Sequence, residues 1–110
     1  MEKTEIKVFL NEKSDVLNSI LSFINAEHIN PISMGGVILK DERLFMTISY
    51  TNSSDEKTYS LKVVSVGNVE DGESLLISEI ESSIPEGNVV CHEMIFDATG
   101  NMTIIYLIEE

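Results

Sequence analysis

A chain of 110 residues with 43% hydrophobic content and two prolines is long enough for one domain and too apolar for a disordered segment, and folding should bury roughly two-thirds of its surface. Nineteen acids against seven bases leave a net charge of −12, which disfavours binding to phosphate backbones, and a single cysteine, Cys91, excludes an intramolecular disulfide. The opening Met1-Glu2-Lys3-Thr4-Glu5 lacks the basic-then-apolar order of a signal peptide, and no apolar run approaches the roughly 20 residues of a membrane span, so a reducing cytosol is the expected compartment.

From Thr4 to Leu10 the chain alternates, and Ile6, Val8 and Leu10 predict the buried face of a strand, with Glu5 and Lys7 outside. Ser14 then stands as a helix N-cap, with Asp15 in the first turn, where a negative charge suits the helix dipole. Val16, Leu17, Ile20, Leu21, Phe23 and Ile24 follow at helical spacing, with Asn18, Ser19, Ser22 and Asn25 on the opposite face. Pro31 ends that helix by pushing Asn30 out of the helical region.

A strand is expected over 31–39, bulged, bent or closely approached at Gly35-Gly36, and a polar turn follows at 40–43. Leu44, Met46, Ile48 and Tyr50 alternate with Phe45, Thr47, Ser49 and Thr51 in a further strand. After the polar connection 52–57, Tyr59, Leu61 and Val63 share one side of another, so that 31–66 reads as an antiparallel meander.

Beyond a loop at 67–72, Asp71 can cap a helix that turns Leu75, Leu76, Ile77, Ile80 and Ile84 inward and Glu73, Ser78, Glu81 and Ser82 outward, although a strand through Leu76, Ile80 and Ile84 also fits. Pro85-Glu86-Gly87 ends it. A hairpin closes the chain, with strands over 88–96 and 102–108, and the last strand is apolar on both faces, as a doubly covered strand is. No linker, internal repeat or low-complexity tract is evident. The expected core is Ile6, Val8, Leu17, Ile20, Leu21, Ile24, Met46, Ile48, Leu61, Val63, Ile80, Ile104 and Tyr106.

Cys91, His92 and Glu93 are the nearest thing to a reactive cluster, but alternation in a strand points Cys91 and Glu93 one way and His92 the other. Cys91 is therefore read as structural. Two histidines, His28 and His92, and one cysteine fall short of a zinc ligand set, and no phosphate loop or nucleophile elbow occurs, so no cofactor, metal or catalytic residue is expected.

The charge is unevenly spread. Residues 1–62 hold all seven bases, and residues 63–110 hold ten acids and no base. Glu70, Asp71, Glu73, Glu79 and Glu81, around the second helix, are the candidate partner-binding residues, since no base lies between them in sequence.

The stretch from Ile6 to Met34 resembles the opening of the ACT domain: a strand (Ile6 to Leu10), a short turn, a helix headed Asp15-Val16-Leu17 with Ile20, Leu21 and Ile24 behind, and Ile29-Asn30-Pro31-Ile32-Ser33 leading into a strand. That family is a small-molecule regulatory module of βαββαβ topology, and the resemblance implies a ligand-binding domain that dimerises. In the family a glycine commonly stands at the turn into the helix, and Asp15 takes that place here.

The expected fold is α+β, a mostly antiparallel sheet with two helices on one face in the order β-α-β-β-β-α-β-β, forming a single domain over 1–110. The expected function is non-enzymatic. An acidic module would dock on a basic protein partner, a toxin, a nuclease or another nucleic-acid-binding protein, as toxin-immunity, anti-restriction or anti-CRISPR inhibitors do. Direct contact with nucleic acid or membrane is not expected, and a homodimer is compatible.

Overall fold

The structure, a computed structural model, describes residues 3–68 and 73–110, and for residues 73–76 the backbone alone. Its elements are β1 (Glu5–Glu12), α1 (Lys13–Ala26), β2 (Ile29–Ile38), β3 (Arg43–Asn52), β4 (Tyr59–Asn68), α2 (Glu73–Ser83), β5 (Asn88–Phe96) and β6 (Asn101–Glu109), in the order that the sequence predicts. The strands form two antiparallel sheets of three, β1-β3-β2 and β4-β6-β5, rather than one. The expected meander through 66 stops at β3. A strand has two edges, and those of β3 are taken by β1 and β2, so β4 crosses to pair with β6.

Helix α1 starts at Lys13, where Glu12 is extended and makes no side-chain cap, so Ser14 lies inside the first turn rather than at the N-cap. Val16, Ile20 and Ile24 are buried four residues apart, while Leu17 and Leu21 reach toward Leu61 and Val63 of β4. The far end of α1 is held by Asn25, whose Oδ1 accepts the Tyr59 N–H at 2.8 Å and whose Nδ2 donates to the Tyr59 carbonyl at 3.1 Å. Those two bonds satisfy the backbone of the first β4 residue, as a neighbouring strand would. The helix thus sits in the angle between the sheets.

The sheets meet where β2 lies against β5. A Cβ at Gly36 would stand 3.0 Å from the Met46 Cγ and 3.5 Å from the Ile95 Cδ1, so the glycine permits this close approach. Gly35 and Gly36 keep register with Thr47 and Met46, and the bulge falls instead at Ile32, between Pro31 and Ser33.

One core joins Val16, Ile20 and Ile24 of α1 to Leu44, Met46 and Ile48 of β3 and to Ile95, Ile105 and Leu107 of the second sheet. A smaller one gathers Val66, Met102, Ile104 and Tyr106 against Ile80 of α2. Successive β6 residues therefore face different cores, and the strand is covered twice, as its continuous apolar run predicts.

The predicted core is correct for Ile20, Ile24, Met46, Ile48, Ile104 and Tyr106, while Leu17, Leu21, Leu61 and Ile80 are half-buried. Ile6 and Val8 are not core: they are 67% and 52% exposed. Alternation gives two faces without saying which is inside. The aromatic contacts decide it, because Phe23 of α1 meets Phe9 edge-on at 6.0 Å and Tyr50 at 5.3 Å, which turns the odd-numbered side of β1 inward. Val63, predicted to be core, is exposed because it stands on an edge strand, beside an open cleft that it lines with Ser14, Leu17, Asn18 and Leu21 of α1.

Although no repeat is visible in the sequence, the topology repeats. Each half runs β-α-β-β with its last strand in the centre of its sheet. Even the hairpin turns correspond. Leu39 N–H donates to the Arg43 carbonyl and Glu42 N–H to that of Leu39, as Asp97 N–H donates to Asn101 and Gly100 N–H to Asp97. Glu42 and Gly100 share positive φ, 68° and 87°. Leu44, Met46 and Ile48 therefore correspond to Met102, Ile104 and Tyr106, and each set faces its own half's helix.

Candidate protein-binding surface

The 73–83 segment is helical, and the strand alternative falls away. Its inner side carries Ile80 and Ser83. The Ser83 hydroxyl donates to the Ile80 carbonyl at 2.8 Å and lies 2.8 Å from the Tyr106 hydroxyl. Because serine has one proton and the carbonyl takes it, Tyr106 is the donor to Ser83, and this bond fastens the end of α2 to β6.

The helix does not bury all the apolar positions assigned to it. Ile77 and Ile84 are 56% and 59% exposed, and the exposed Glu81 stands one turn from Ile77. The reason lies in placement, since α2 packs over β4 and β6 and leaves much of β5 bare. Met94 and Phe96 of β5 are exposed on this side, and a groove of about 180 Å³ runs between Ile80 of the helix with Ile84 just beyond its end and His92, Met94 and Tyr106 of the sheet. Sequence reading missed Met94 and Phe96. A strand puts them on one face with His92, but its pattern does not show that the helix stops short of them.

Of the predicted binding residues, Glu79 and Glu81 are exposed on α2, about 200° apart around its axis, so they do not converge on one point. Glu73 opens the helix. Glu70 and Asp71, with the predicted Asp71 cap, lie outside the described residues. The ion pairs among the described residues are Arg43 with Asp41 at 2.7 Å and Lys57 with Glu109 at 3.3 Å, and neither touches α2. The hydrogen bonds and charge of Arg43 hold the Asp41 carboxyl below its ordinary range, and the bond to Glu109 holds the Lys57 ammonium above its own.

Cys91 and His92 face opposite sides of β5. Cys91 packs against the first core, where burial pushes its thiol up to about 11, while His92 tilts against Tyr106 at 6.3 Å. Among the described residues no three His, Cys, Asp or Glu side chains gather as metal ligands would, and no helix is long and apolar enough to cross a membrane. No family model matches the chain, and no curated protein or solved structure matches it.

Proposed function

We propose that this protein is a non-enzymatic binding module that docks on a basic protein partner through α2 and the bare strip of β5, in the manner of an immunity-type or nucleic-acid-mimicking inhibitor. One observation carries the reading: α2 and the residue after it leave Ile77, Glu81 and Ile84 exposed, as Met94 and Phe96 of β5 are, with no ion pair to the helix carboxylates among the described residues. Apolar anchors supply buried area at such a surface, and the carboxylates steer a cationic partner into place. Exposed charges are screened beyond roughly 8 Å at physiological salt, so the acids act mainly on the association rate and the apolar strip on dissociation.

The test replaces Glu79 and Glu81 by Lys in one variant and Ile84 by Asp in another, with circular dichroism as the check on folding. Each is measured against whatever basic partner the wild-type protein captures at low salt. The Lys variant should associate more slowly and lose the salt dependence of its on-rate, and Ile84→Asp should dissociate faster. On-rate, off-rate and salt dependence all unchanged would move the interface elsewhere.

A second reading, an ACT-like ligand-binding module, draws on a cleft of about 810 Å³ where β1 turns into α1, lined by Glu12, Lys13, Ser14, Glu42 and Arg43. Both signs of charge meet there, as an amino-acid ligand requires, although Asp41 already engages Arg43. Free amino acids that leave the melting temperature unchanged would remove this reading.

A further inference from the structure

We infer that the outer face of the β1-β3-β2 sheet is where two copies of this chain pack against each other, related by a two-fold axis running along the strands. The face consists of three ladder rows: Ile6, Ser49 and Ser33; Val8, Thr47 and Gly35; Leu10, Phe45 and Val37. Ile6, Val8, Leu10, Val37 and Phe45 are all exposed, and no described residue packs over them. Together they present on the order of 400 Å² of apolar surface, in the range where a patch marks an interaction site rather than scattered exposure.

Charge permits a second copy as the occupant. The chain carries −12 overall, yet none of these nine residues is charged. Two such anionic molecules repel wherever carboxylates face each other, and an uncharged sheet face lets them approach without that cost. Charge does occur at the margins, where Glu12 stands opposite Arg43 at one end of the ladder and a Glu93 carboxylate oxygen lies 4.0 Å from the Cβ position of Gly35.

Shape supports the same occupant. The β1 edge of the face is a ridge of branched side chains, Ile6, Val8 and Leu10, and the β2 edge opposite is low at Ser33 and Gly35. Rotation by half a turn about an axis along the strands carries β1 of one copy over β2 of the other at the same ladder level. Ile6 then meets the second copy's Ser33, Val8 its Gly35 and Leu10 its Val37, so a large side chain faces a small one at two of the three levels, each twice in one isologous contact. Stacked sheets pack about 10 Å apart with their strands nearly aligned, which suits this geometry. With Ser33, Thr47 and Ser49 counted beside the apolar residues, the paired faces would bury up to about 1,000 Å² in total, the lower bound for a specific interface, so a weak dimer is expected.

Sedimentation tests this from low to high micromolar concentration. The wild-type chain should pass from its 12.3 kDa monomer to twice that mass as concentration rises. Ile6→Lys and Ser33→Glu should each raise the dimer dissociation constant at least about tenfold, and an equal mixture of the two variants should recover association, because the ammonium introduced on one copy then meets the carboxylate introduced on the other. Both positions are exposed, so neither change removes a core contact, and circular dichroism confirms the fold. A wild-type chain monomeric throughout would overturn the inference and leave the face to a different protein. A dimer that Ile6→Lys does not weaken, or variants that fail to rescue each other, would overturn it as well.

Discussion

The two βαββ halves set their helices on corresponding sides of their central strands and differ in what lies on the other side. In the second half, Thr103, Ile105 and Leu107 of β6 are buried, and Ile105 and Leu107 share the first core with Val16, Ile20 and Ile24 of α1. In the first half the corresponding residues of β3 are Phe45, Thr47 and Ser49, of which Phe45 is exposed and Thr47 and Ser49 are half-buried. One topology thus yields a strand buried on both sides and a strand buried on one. The composition of a strand reports its coverage rather than its place in the ladder: Ile104 to Ile108 reads as continuous apolar sequence, whereas Met46 to Tyr50 alternates.

Truncation of corresponding residues should separate the two halves most widely. Ile105→Ala leaves a cavity between the second sheet and α1 and should cost about 2 to 5 kcal/mol, whereas Thr47→Ala, on the open face, should stay within about 0.5 kcal/mol. Denaturant midpoints at constant m-value measure both. Similar losses at the two positions would mean that the first sheet is covered after all.

A smaller effect sharpens the contact between the halves. Cys91 belongs to the second half but packs against the core built around α1, and burial raises its thiol from an ordinary 9.0 to about 11. A raised folded pKa contributes stability that is complete below pH 9 and is lost as the pH climbs through 11, because the unfolded chain ionises first. Stability of the wild-type chain should therefore fall more steeply between pH 9 and 11 than that of Cys91→Ala. Identical pH profiles would place the thiol in water.

Sequence patterning carried the element order and the inner face of α1, since Val16, Ile20 and Ile24 repeat at a spacing that only a helix buries together. It carried β6 as well, because Ile104 and Ile105 can both be buried only if the strand has two covered faces. It failed at β1. Ile6, Val8 and Leu10 make a better apolar stripe than Glu5, Lys7 and Phe9, yet Phe9 goes inward to meet Phe23, with the Lys7 ammonium 5.8 Å from the same ring. The division into two sheets was equally out of reach, because pairing partners depend on which strand edges remain free. At the candidate surface, the exposed acids of α2 were legible and the bare strip of Met94 and Phe96 was not. How far a helix extends over its sheet is decided by packing, as in the Tyr106 to Ser83 bond, and not by the pattern of either element.

Thiol accessibility at corresponding positions of the two central strands tests the central contrast most directly. In a Cys91→Ala background, single cysteines at Phe45 (Phe45→Cys) and Thr103 (Thr103→Cys) occupy the same place in their hairpins, one step after Leu44 and Met102. In dilute native protein the cysteine at 45 should react with a thiol reagent close to the rate of the unfolded chain. The cysteine at 103 should react only as fast as the fold opens. Fast labelling at both positions, or protection of both in the dilute monomer, would contradict the difference in coverage between the two halves.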